Sequence, residues 1–318
     1  MTKYIDVFNG DADGLCALQQ LRLADPQEGV LVSGPKRDIS LLQRVTAQAG
    51  DHVTVLDISL DKNREALLGL LAKGVVVRYF DHHYAGDVPA HASLEAHIDT
   101  SPEICTSLLV NNYLHGRFCA WAVTGAFGDN FPVQAREAAR PLALSASQLE
   151  QLSELGTLLN YNGYGEGDEI FFPPDELFRL LHPYTDPFEF IANERSFAVL
   201  RDGYRVDMAK IAAVRPEVTE EHIAVYILPN APWARRASGV FANELVDRSP
   251  ARAHAILSGL PTGGFQVSVR APRNNPSGAD TLCRAFPSGG GRKAAAGINC
   301  LPETELDSFI EAFRNNYR

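Results

Sequence analysis

Two aspartates separated by a single residue follow the first apolar run of the chain. Asp11 and Asp13 lie in a segment flanked by Gly10 and Gly14, so both carboxylates can face one cleft. Carboxylate oxygens are the ligands that hard divalent cations prefer. An aspartate that caps a helix after a turn would give the same pattern. This segment alone therefore leaves metal ligand and helix cap open.

Three adjacent residues of metal-ligand type, Asp81, His82 and His83, directly follow a later run of valine and aromatic residues. Packing gives little reason for such a triplet, so we interpret it as functional. Asp57 follows another apolar run, where a cap or turn role is the alternative, and Asp129 ends a segment rich in small residues. The sequence thus offers several candidate ligands besides the first pair.

Together these residues are suited to bind a pair of divalent ions. Carboxylates crowded into one cleft are unfavourable unless cations lie between them. Two ions about 3.5–4 Å apart that share a carboxylate are an arrangement used to hydrolyse phosphoesters. We expect Asp57 to be the shared ligand and His83 to hydrogen-bond a phosphate oxygen. The candidate metal ligands are Asp11, Asp13, Asp57, His82 and Asp129.

The elements that must position these residues alternate along the first half of the chain. Short runs rich in valine and aromatic residues predict strands at residues 4–8, 30–33, 53–56 and 75–80. Leucine and alanine at helical spacing predict helices at 15–23, 39–49 and 63–72. This alternation predicts an α/β fold with a mainly parallel sheet flanked by helices. Ligands of such sheets bind at the carboxyl ends of the strands.

The second half of the chain predicts a connector and a smaller α/β domain. Helical patterns continue to about residue 159, and residues 160–186, rich in Gly, Pro and aromatics, predict an irregular connector. A long helix is predicted at 187–212, strands at 223–228 and 265–270, and a helix at 303–317. We therefore expect an N-terminal domain at 1–186 that includes the connector, a linker helix region at 187–222 and a second domain at 223–318.

The composition and net charge limit the classes of partner that the protein can bind. The 318 residues are 45% apolar and 21% charged, with a net charge of −10. This acidic balance argues against a long nucleic-acid duplex as a partner, and no apolar run approaches the roughly 20 residues that cross a membrane. Five scattered cysteines without close pairs predict buried thiols in a cytoplasmic protein.

A glycine run lies in a locally basic region near the C-terminus. Between residues 266 and 293 there are five basic residues and one acidic residue. Gly289, Gly290 and Gly291 directly precede Arg292 and Lys293. The exposed backbone N–H groups of such glycine loops can cradle anions. A solvated surface or a flexible turn is the alternative, and the adjacent cations favour phosphate binding.

The order of these motifs resembles that of the DHH phosphoesterase superfamily, in its branch with a DHH domain and a DHHA1 domain. Each motif is short, but five of them in the family's order span nearly the whole chain. The matching motifs are Asp11-x-Asp13-Gly14, Asp57, Asp81-His82-His83, Gly125-x-x-Gly128-Asp129 and GGGRKAAAG at residues 289–297.

Two positions depart from the pattern of this family. Members often carry a metal-binding histidine four residues before the first aspartate, and this chain has Val7 there. The glycine motif of the family contains a histidine where this chain has Arg292. Arginine keeps affinity for phosphate but does not titrate near neutral pH. The departures indicate a first metal site that binds its ion weakly, uses Asn9 or water as a ligand, or binds only with substrate. They also indicate an altered substrate class or a lost activity.

The resemblance implies metal-dependent hydrolysis of phosphoester bonds in small nucleotides, foremost short oligonucleotides or linear dinucleotides cleaved to mononucleotides. It implies two divalent ions, Mn2+ first and Mg2+ as the alternative. A phosphomonoesterase acting on 3′,5′-bisphosphorylated nucleosides and a degenerate nucleotide-binding sensor remain alternatives. The catalytic residues would be Asp57, His82 and His83. The substrate-binding residues would be His83, Arg270, Gly289, Gly290, Gly291 and Arg292.

Overall fold

The computed structural model describes residues 2–165 and 167–318 and divides the chain into two compact units. The first unit extends to Tyr164 and includes Ile170–Arg201, whereas the second comprises Gly165–Glu169 and Asp202–Arg318. The boundary between residues 201 and 202 falls within the segment predicted as a linker helix.

A parallel sheet of five strands forms the centre of the first unit. The strands are β1 (Tyr4–Asn9), β2 (Val30–Gly34), β3 (His52–Leu56), β4 (Val76–Asp81) and β5 (Leu94–Ile98). Their order is β2-β1-β3-β4-β5, and all four neighbouring pairs are parallel. The predicted α/β fold with a mainly parallel sheet is therefore confirmed. The strand β5 was not predicted, because it is an edge strand whose Glu95 and Ala96 are exposed and it lacks the apolar run of the central strands.

Helices connect and flank these strands. The helices of the first unit are α1 (Ala12–Ala24), α2 (Leu60–Ala72), α3 (Thr106–Tyr113), α4 (Cys119–Gly128), α5 (Pro132–Ala138), α6 (Ala146–Gly163), α7 (Pro174–Leu181) and α8 (Pro187–Asn193). A further helix, α9 (Arg195–Ile211), continues into the second unit. Valines of β1 and β3, including Val7 and Val55, are buried in one core cluster with Leu67 and Leu71 of α2.

The predicted helix at 39–49 is wrong. Only a 3-10 turn, Leu41–Arg44, forms there. The Asn63 side chain on α2 accepts from the backbone N–H of Leu42 at 3.2 Å and donates to the carbonyl of Ile39 at 2.7 Å. Because a side chain satisfies these backbone groups, the segment stays irregular while Leu41 and Leu42 bury their side chains.

Two further predictions for the middle of the chain need correction. The predicted irregular connector contains the end of α6 and all of α7, because Leu177, Phe178 and Leu181 give α7 a buried apolar face. The predicted continuous helix at 187–212 is interrupted at Glu194, which has an extended backbone. Its carboxylate accepts from the backbone N–H of Ser196 at 3.1 Å, so Glu194 caps the start of α9.

The second unit is built on a mixed sheet of six strands. The strands are β6 (Val218–Thr219), β7 (Ile223–Leu228), β8 (Ala253–Gly259), β9 (Phe265–Arg270), β10 (Gly289–Gly291) and β11 (Ala295–Leu301). Their order is β10-β11-β9-β8-β7-β6, in which only β7 and β8 pair in parallel. The helices are α10 (Pro232–Arg248), α11 (Ala279–Arg284) and α12 (Leu306–Asn316). The predicted second α/β domain is confirmed.

Two bulk predictions can be compared with the structure. Among the described residues, no helix combines the length and apolar character needed to cross a membrane. Four of the five cysteines are buried, but Cys300 is exposed on β11, so the prediction of five buried thiols is wrong for that residue.

Candidate metal centre

The candidate ligands of the first unit lie at the carboxyl edge of its sheet. Asp11 follows β1, Asp57 follows β3, and His82 follows β4, and these strands are neighbours in the order β1-β3-β4. Asp57 has a φ of 61°, in the left-handed region that aspartate adopts more readily than most residues. Its backbone N–H donates to the carbonyl of Phe80 at 3.0 Å, which fixes the turn at the end of β3 against β4.

His82 presents one ring nitrogen to three carboxylates. Its Nδ1 lies 2.9 Å from the carbonyl oxygen of Ile104, so that nitrogen carries the proton. Its Nε2 lies 3.5 Å from Oδ1 of Asp57, 3.5 Å from Oδ2 of Asp129 and 3.9 Å from Oδ2 of Asp13. A histidine fixed in this way through one nitrogen offers the other as a metal ligand.

The start of α3 holds two of these carboxylates in place. The backbone N–H groups of Thr106 and Ser107 donate to the two oxygens of Asp13 at 2.7 and 2.8 Å. The hydroxyl of Thr106 donates to Oδ1 of Asp57 at 2.9 Å. These bonds join α3 to the first turn of α1 and to the end of β3, and they fix the carboxylates before any ligand arrives.

Burial and neighbouring charge act on Asp57. Burial, followed by the charges of Asp11, Asp13, Asp129 and Asp81, raises the pKa of Asp57 well above its usual value. A cation beside a buried carboxylate with negative neighbours stabilises its charged form. The electrostatics of the cluster therefore favour occupation by a positive ion.

Asp129 reaches the cluster because two glycines let α4 approach its neighbours closely. A Cβ on Gly125 would lie 2.5 Å from Oγ of Ser107, and one on Gly128 would lie 2.2 Å from Cβ of Ala12. Either contact would force the helices apart. The glycines of the Gly125-x-x-Gly128-Asp129 motif thus serve helix packing, and the packing sets the position of the aspartate.

Asp11 is engaged by groups of the chain itself. Its Oδ1 caps α1 by accepting from the backbone N–H groups of Asp13 at 3.0 Å and Gly14 at 3.1 Å. Its Oδ2 is paired with the ammonium group of Lys36, which also contacts Oδ1 of Asp129 at 3.1 Å and Oδ1 of Asn160 at 3.0 Å. The helix cap that the sequence left open for Asp11 is therefore present, and its role as a metal ligand stays a prediction.

His83 differs from His82 in exposure and in its partner. Its side chain is about one-third exposed, and its Nδ1 lies 2.7 Å from Oδ1 of Asp81. Asp81 is fully buried, and its Oδ2 has no hydrogen-bond partner among the described residues. Asp81 thereby orients the His83 ring and leaves Nε2 of that ring for another contact.

The residues present fit a divalent metal ion. Two groups of three residues could each hold an ion, because the ligand atoms within each group lie within 4.8 Å of one another. One group comprises Asp57, His82 and His83, and the other comprises Asp13, His82 and Asp129. Carboxylate oxygens combined with imidazole suit Mn2+ and related divalent ions. His82 belongs to both groups, so it is the residue about which a metal site would be organised.

The structure brings together all five candidate ligands that the sequence indicated. Lys36, Asn160 and Thr106, however, were not among the candidates. The signal for Lys36 was its place two residues after β2, at the same sheet edge as Asp11. Asn160 lies near the end of a long helix and Thr106 at the start of another, and neither position carries a recognisable motif.

The candidate substrate residues of the second unit lie on β9, on β10 and in the turn after β10, and β11 lies between these two strands. Arg270 ends β9, and its Nε donates to Oδ1 of Asn243 on α10 at 2.8 Å. Its register partner on β11 is Ala295. The structure does not place Arg270 in the first unit, and its predicted contact with substrate stays a prediction.

The expected glycine loop is a strand. Gly289, Gly290 and Gly291 form β10 and pair with β11, so the turn of the hairpin begins only at Arg292. A Cβ on Gly289 would lie 1.7 Å from the carbonyl oxygen of Cys283, which explains the glycine there by close packing. Arg292 and Ala295 close the turn through backbone hydrogen bonds of 2.8 and 3.1 Å.

Comparison with solved structures identifies the fold. The sequence itself matches no protein-family profile and no curated protein. An exonuclease RecJ bound to manganese aligns with a TM-score of 0.64 at 18% identity, over 98% of this chain and 89% of that one. The DHH domain of a protein described as a member of a ribosomal-protein family aligns with a TM-score of 0.71 at 14% identity, over 99% of this chain and 86% of that one. The chain has the DHH superfamily fold.

A further DHH-fold neighbour extends this likeness. RecJ from Thermus thermophilus, in complex with Mn2+, aligns with a TM-score of 0.65 at 19% identity. The alignment covers 98% of this chain and 52% of that one. Both units of the present chain thus have counterparts in other proteins with the DHH fold.

Proposed function

We propose that the protein is a metal-dependent phosphoesterase that hydrolyses phosphoester bonds in small nucleotides, foremost short oligonucleotides or linear dinucleotides. The observation that carries this proposal is the environment of His82. Its Nε2 faces Asp13, Asp57 and Asp129, while the carbonyl of Ile104 fixes its Nδ1. Such a site is prepared for a divalent cation, and the DHH fold is shared with two RecJ structures that contain manganese.

The proposed division of roles follows from the contacts of each residue. A bound divalent ion would supply Lewis-acid polarisation of a phosphoryl oxygen. Asp13, Asp57, His82 and Asp129 would hold it. His83, oriented by Asp81 and partly exposed, would donate a hydrogen bond from Nε2 to the phosphate when its ring is protonated. These residues bind, orient and neutralise charge, which is most of what phosphoryl transfer asks of a protein.

The proposed substrate is short, single-stranded and anionic. A net charge of −10 does not favour the extended basic groove that long single strands require. Arg270, Arg292 and the β10 glycines are proposed to bind a terminal phosphate or a base of the nucleotide. Arginine suits this role because its planar guanidinium can bind phosphate through two hydrogen bonds. The cytoplasmic location and the domain limits at residues 186 and 223 remain part of this proposal.

The test is a manganese-supplemented screen of two- to five-nucleotide RNAs, linear and cyclic dinucleotides and 3′,5′-bisphosphorylated nucleosides, repeated with magnesium. Release of mononucleotides from a dinucleotide is the expected result. Release of inorganic phosphate from a bisphosphorylated nucleoside would favour the phosphomonoesterase instead.

The screen includes two variants that each remove one carboxylate. Asp57→Asn should lose activity, whereas Glu65→Gln, at an exposed position on α2, should keep it. If the wild type and Asp57→Asn hydrolyse every substrate equally poorly, the proposed enzyme activity is refuted.

A further inference from the structure

Backbone hydrogen bonds fix the position of Lys36 beside the candidate metal centre. Its backbone N–H donates to the carbonyl of Gly163 at 2.8 Å, and its own carbonyl accepts from Nδ2 of Asn9 at 3.2 Å. Gly163 permits this arrangement because a Cβ there would lie 3.1 Å from Cα of Asp11. The lysine therefore starts from a fixed position beside the first aspartate motif.

The ammonium group of Lys36 has a complete set of oxygen partners. It has three N–H donors, and it contacts three oxygens: Oδ2 of Asp11, Oδ1 of Asp129 at 3.1 Å and Oδ1 of Asn160 at 3.0 Å. The side chain is only about one-fifth exposed. A cation surrounded by two carboxylates and an amide oxygen has the environment of a bound metal ion.

The Lys36 ammonium offsets one of the two carboxylate charges beside it without any further ion. Lysine is ordinarily charged at neutral pH, and two carboxylates lie against this ammonium group. The other carboxylate oxygen of Asp11, Oδ1, accepts the two hydrogen bonds that cap α1. Both carboxylate oxygens of Asp11 are thus already engaged by groups of the chain.

Asp129 links the lysine to the rest of the centre. Its Oδ1 contacts the Lys36 ammonium, and its Oδ2 lies 3.5 Å from Nε2 of His82. One carboxylate thus stands between a cation supplied by the chain and the ligand group around His82. This is the relationship that a bridging ligand has to two metal ions.

We propose that Lys36 is a permanent internal cation that takes the place of one of the two divalent ions, so that the protein binds a single metal ion at Asp13, Asp57, His82 and Asp129. The inference rests on the proposed function, because it assumes that these four residues bind a metal ion. It also gives a reason for the missing histidine at Val7: a site filled by an ammonium group needs no further ligand.

The test counts metal ions rather than turnover. Titration calorimetry with Mn2+ and elemental analysis of the Mn2+-loaded protein should give one ion per chain for the wild type. Electron paramagnetic resonance should show an isolated Mn2+, without the coupling expected of two ions about 4 Å apart. Lys36→Met removes the charge with little change in length, and it should bind two ions. Lys62→Met makes the same change at an exposed position of α2 and should still bind one.

A second variant keeps the test decisive if Lys36→Met does not fold. Asp11→Asn retains a good helix cap but removes the carboxylate charge, and the proposal expects one ion bound with less than about a threefold change in affinity. A tenfold or larger loss of Mn2+ affinity in Asp11→Asn would show that Asp11 ligates metal and would overturn the proposal.

The remaining outcomes separate this inference from the proposed function. Two ions in the wild type, or one ion in a folded Lys36→Met variant, would refute the role of Lys36 and leave the metal-dependent function standing. No binding at millimolar Mn2+ in the wild type would refute both.

Discussion

The Lys36 ammonium group lies 3.1 Å from Oδ1 of Asp129, within the same cluster of carboxylates that surrounds His82. A positive charge carried by the chain therefore neutralises part of a site that would otherwise depend on bound ions. The remaining negative charge concentrates on Asp13 and Asp57, on the side of His82.

Asp57→Asn should make the metal-free protein more stable. The raised pKa of Asp57 shows that its charged form is disfavoured by burial and by four neighbouring aspartates. Asparagine tolerates the φ of 61° and keeps an oxygen for the hydroxyl of Thr106. We expect the melting temperature in EDTA to rise by about 2 °C or more. Mn2+ should stabilise the wild type but not the variant, and an equal Mn2+ shift in both would contradict this assignment.

Gly128→Ala should destabilise the first unit. The added Cβ would lie 2.2 Å from Cβ of Ala12 and 2.6 Å from the carbonyl oxygen of Gly156. Overpacking of this kind costs about 1–3 kcal/mol. Gly69→Ala is the matched control, because its Cβ would meet nothing within 4 Å on an exposed face of α2. It should add about 0.5–1 kcal/mol of stability. Urea unfolding of both variants measures the difference, and equal effects would refute the packing argument.

His254 should make unfolding of the second unit sensitive to acid. Burial, followed by the charge of Arg252, lowers the pKa of His254 to about 4 from an ordinary value of 6.5. The unfolded chain therefore binds more protons than the folded one between these values, and stability falls as pH falls from 6.5 to 4. The full loss is about 3 kcal/mol.

His254→Leu should flatten this dependence. The comparison is the change in unfolding free energy between pH 7 and pH 5, measured for the wild type and the variant. His222→Leu, at a half-exposed side chain, should keep the wild-type slope. An unchanged slope in His254→Leu would show that another group causes the acid sensitivity.

Arg235→Ala should strongly destabilise the second unit. The Arg235 side chain is almost fully buried and donates to Oε2 of Glu169 at 2.8 Å, Oδ1 of Asn230 at 2.7 Å and the carbonyl of Gly259 at 2.8 Å. Removing one member of a buried ion pair costs about 3–5 kcal/mol. Arg205→Ala removes an exposed arginine and should cost less than about 1 kcal/mol.

Substitution by lysine distinguishes charge from geometry at this position. Arg235→Lys keeps the charge but loses the planar arrangement of donors, so we expect it to recover less than half of the lost stability. Full recovery in a denaturant titration would mean that charge alone matters there.

The sequence by itself determined the α/β class and indicated the five candidate carboxylate and histidine ligands. Strands with buried apolar residues and helices with leucine spacing are local patterns, and parallel strands necessarily bring their carboxyl ends to one edge. That geometry is why Asp11, Asp57 and His82 could be grouped before their distances were known. The glycines before Asp129 were also visible, although their role in helix packing was not.

Tertiary structure decided what satisfies each polar group. The segment at 39–49 loses its helix because Asn63, on another element, bonds to its backbone. Thr106 fixes Asp57 across 49 residues of sequence, and Lys36 reaches Asn160 across 124. Such pairings depend on long-range packing, which leaves no periodicity or spacing in the chain. The sequence located the acidic cluster, whereas only the folded chain showed that a lysine neutralises part of it, because burial makes the nearest counter-charge decisive.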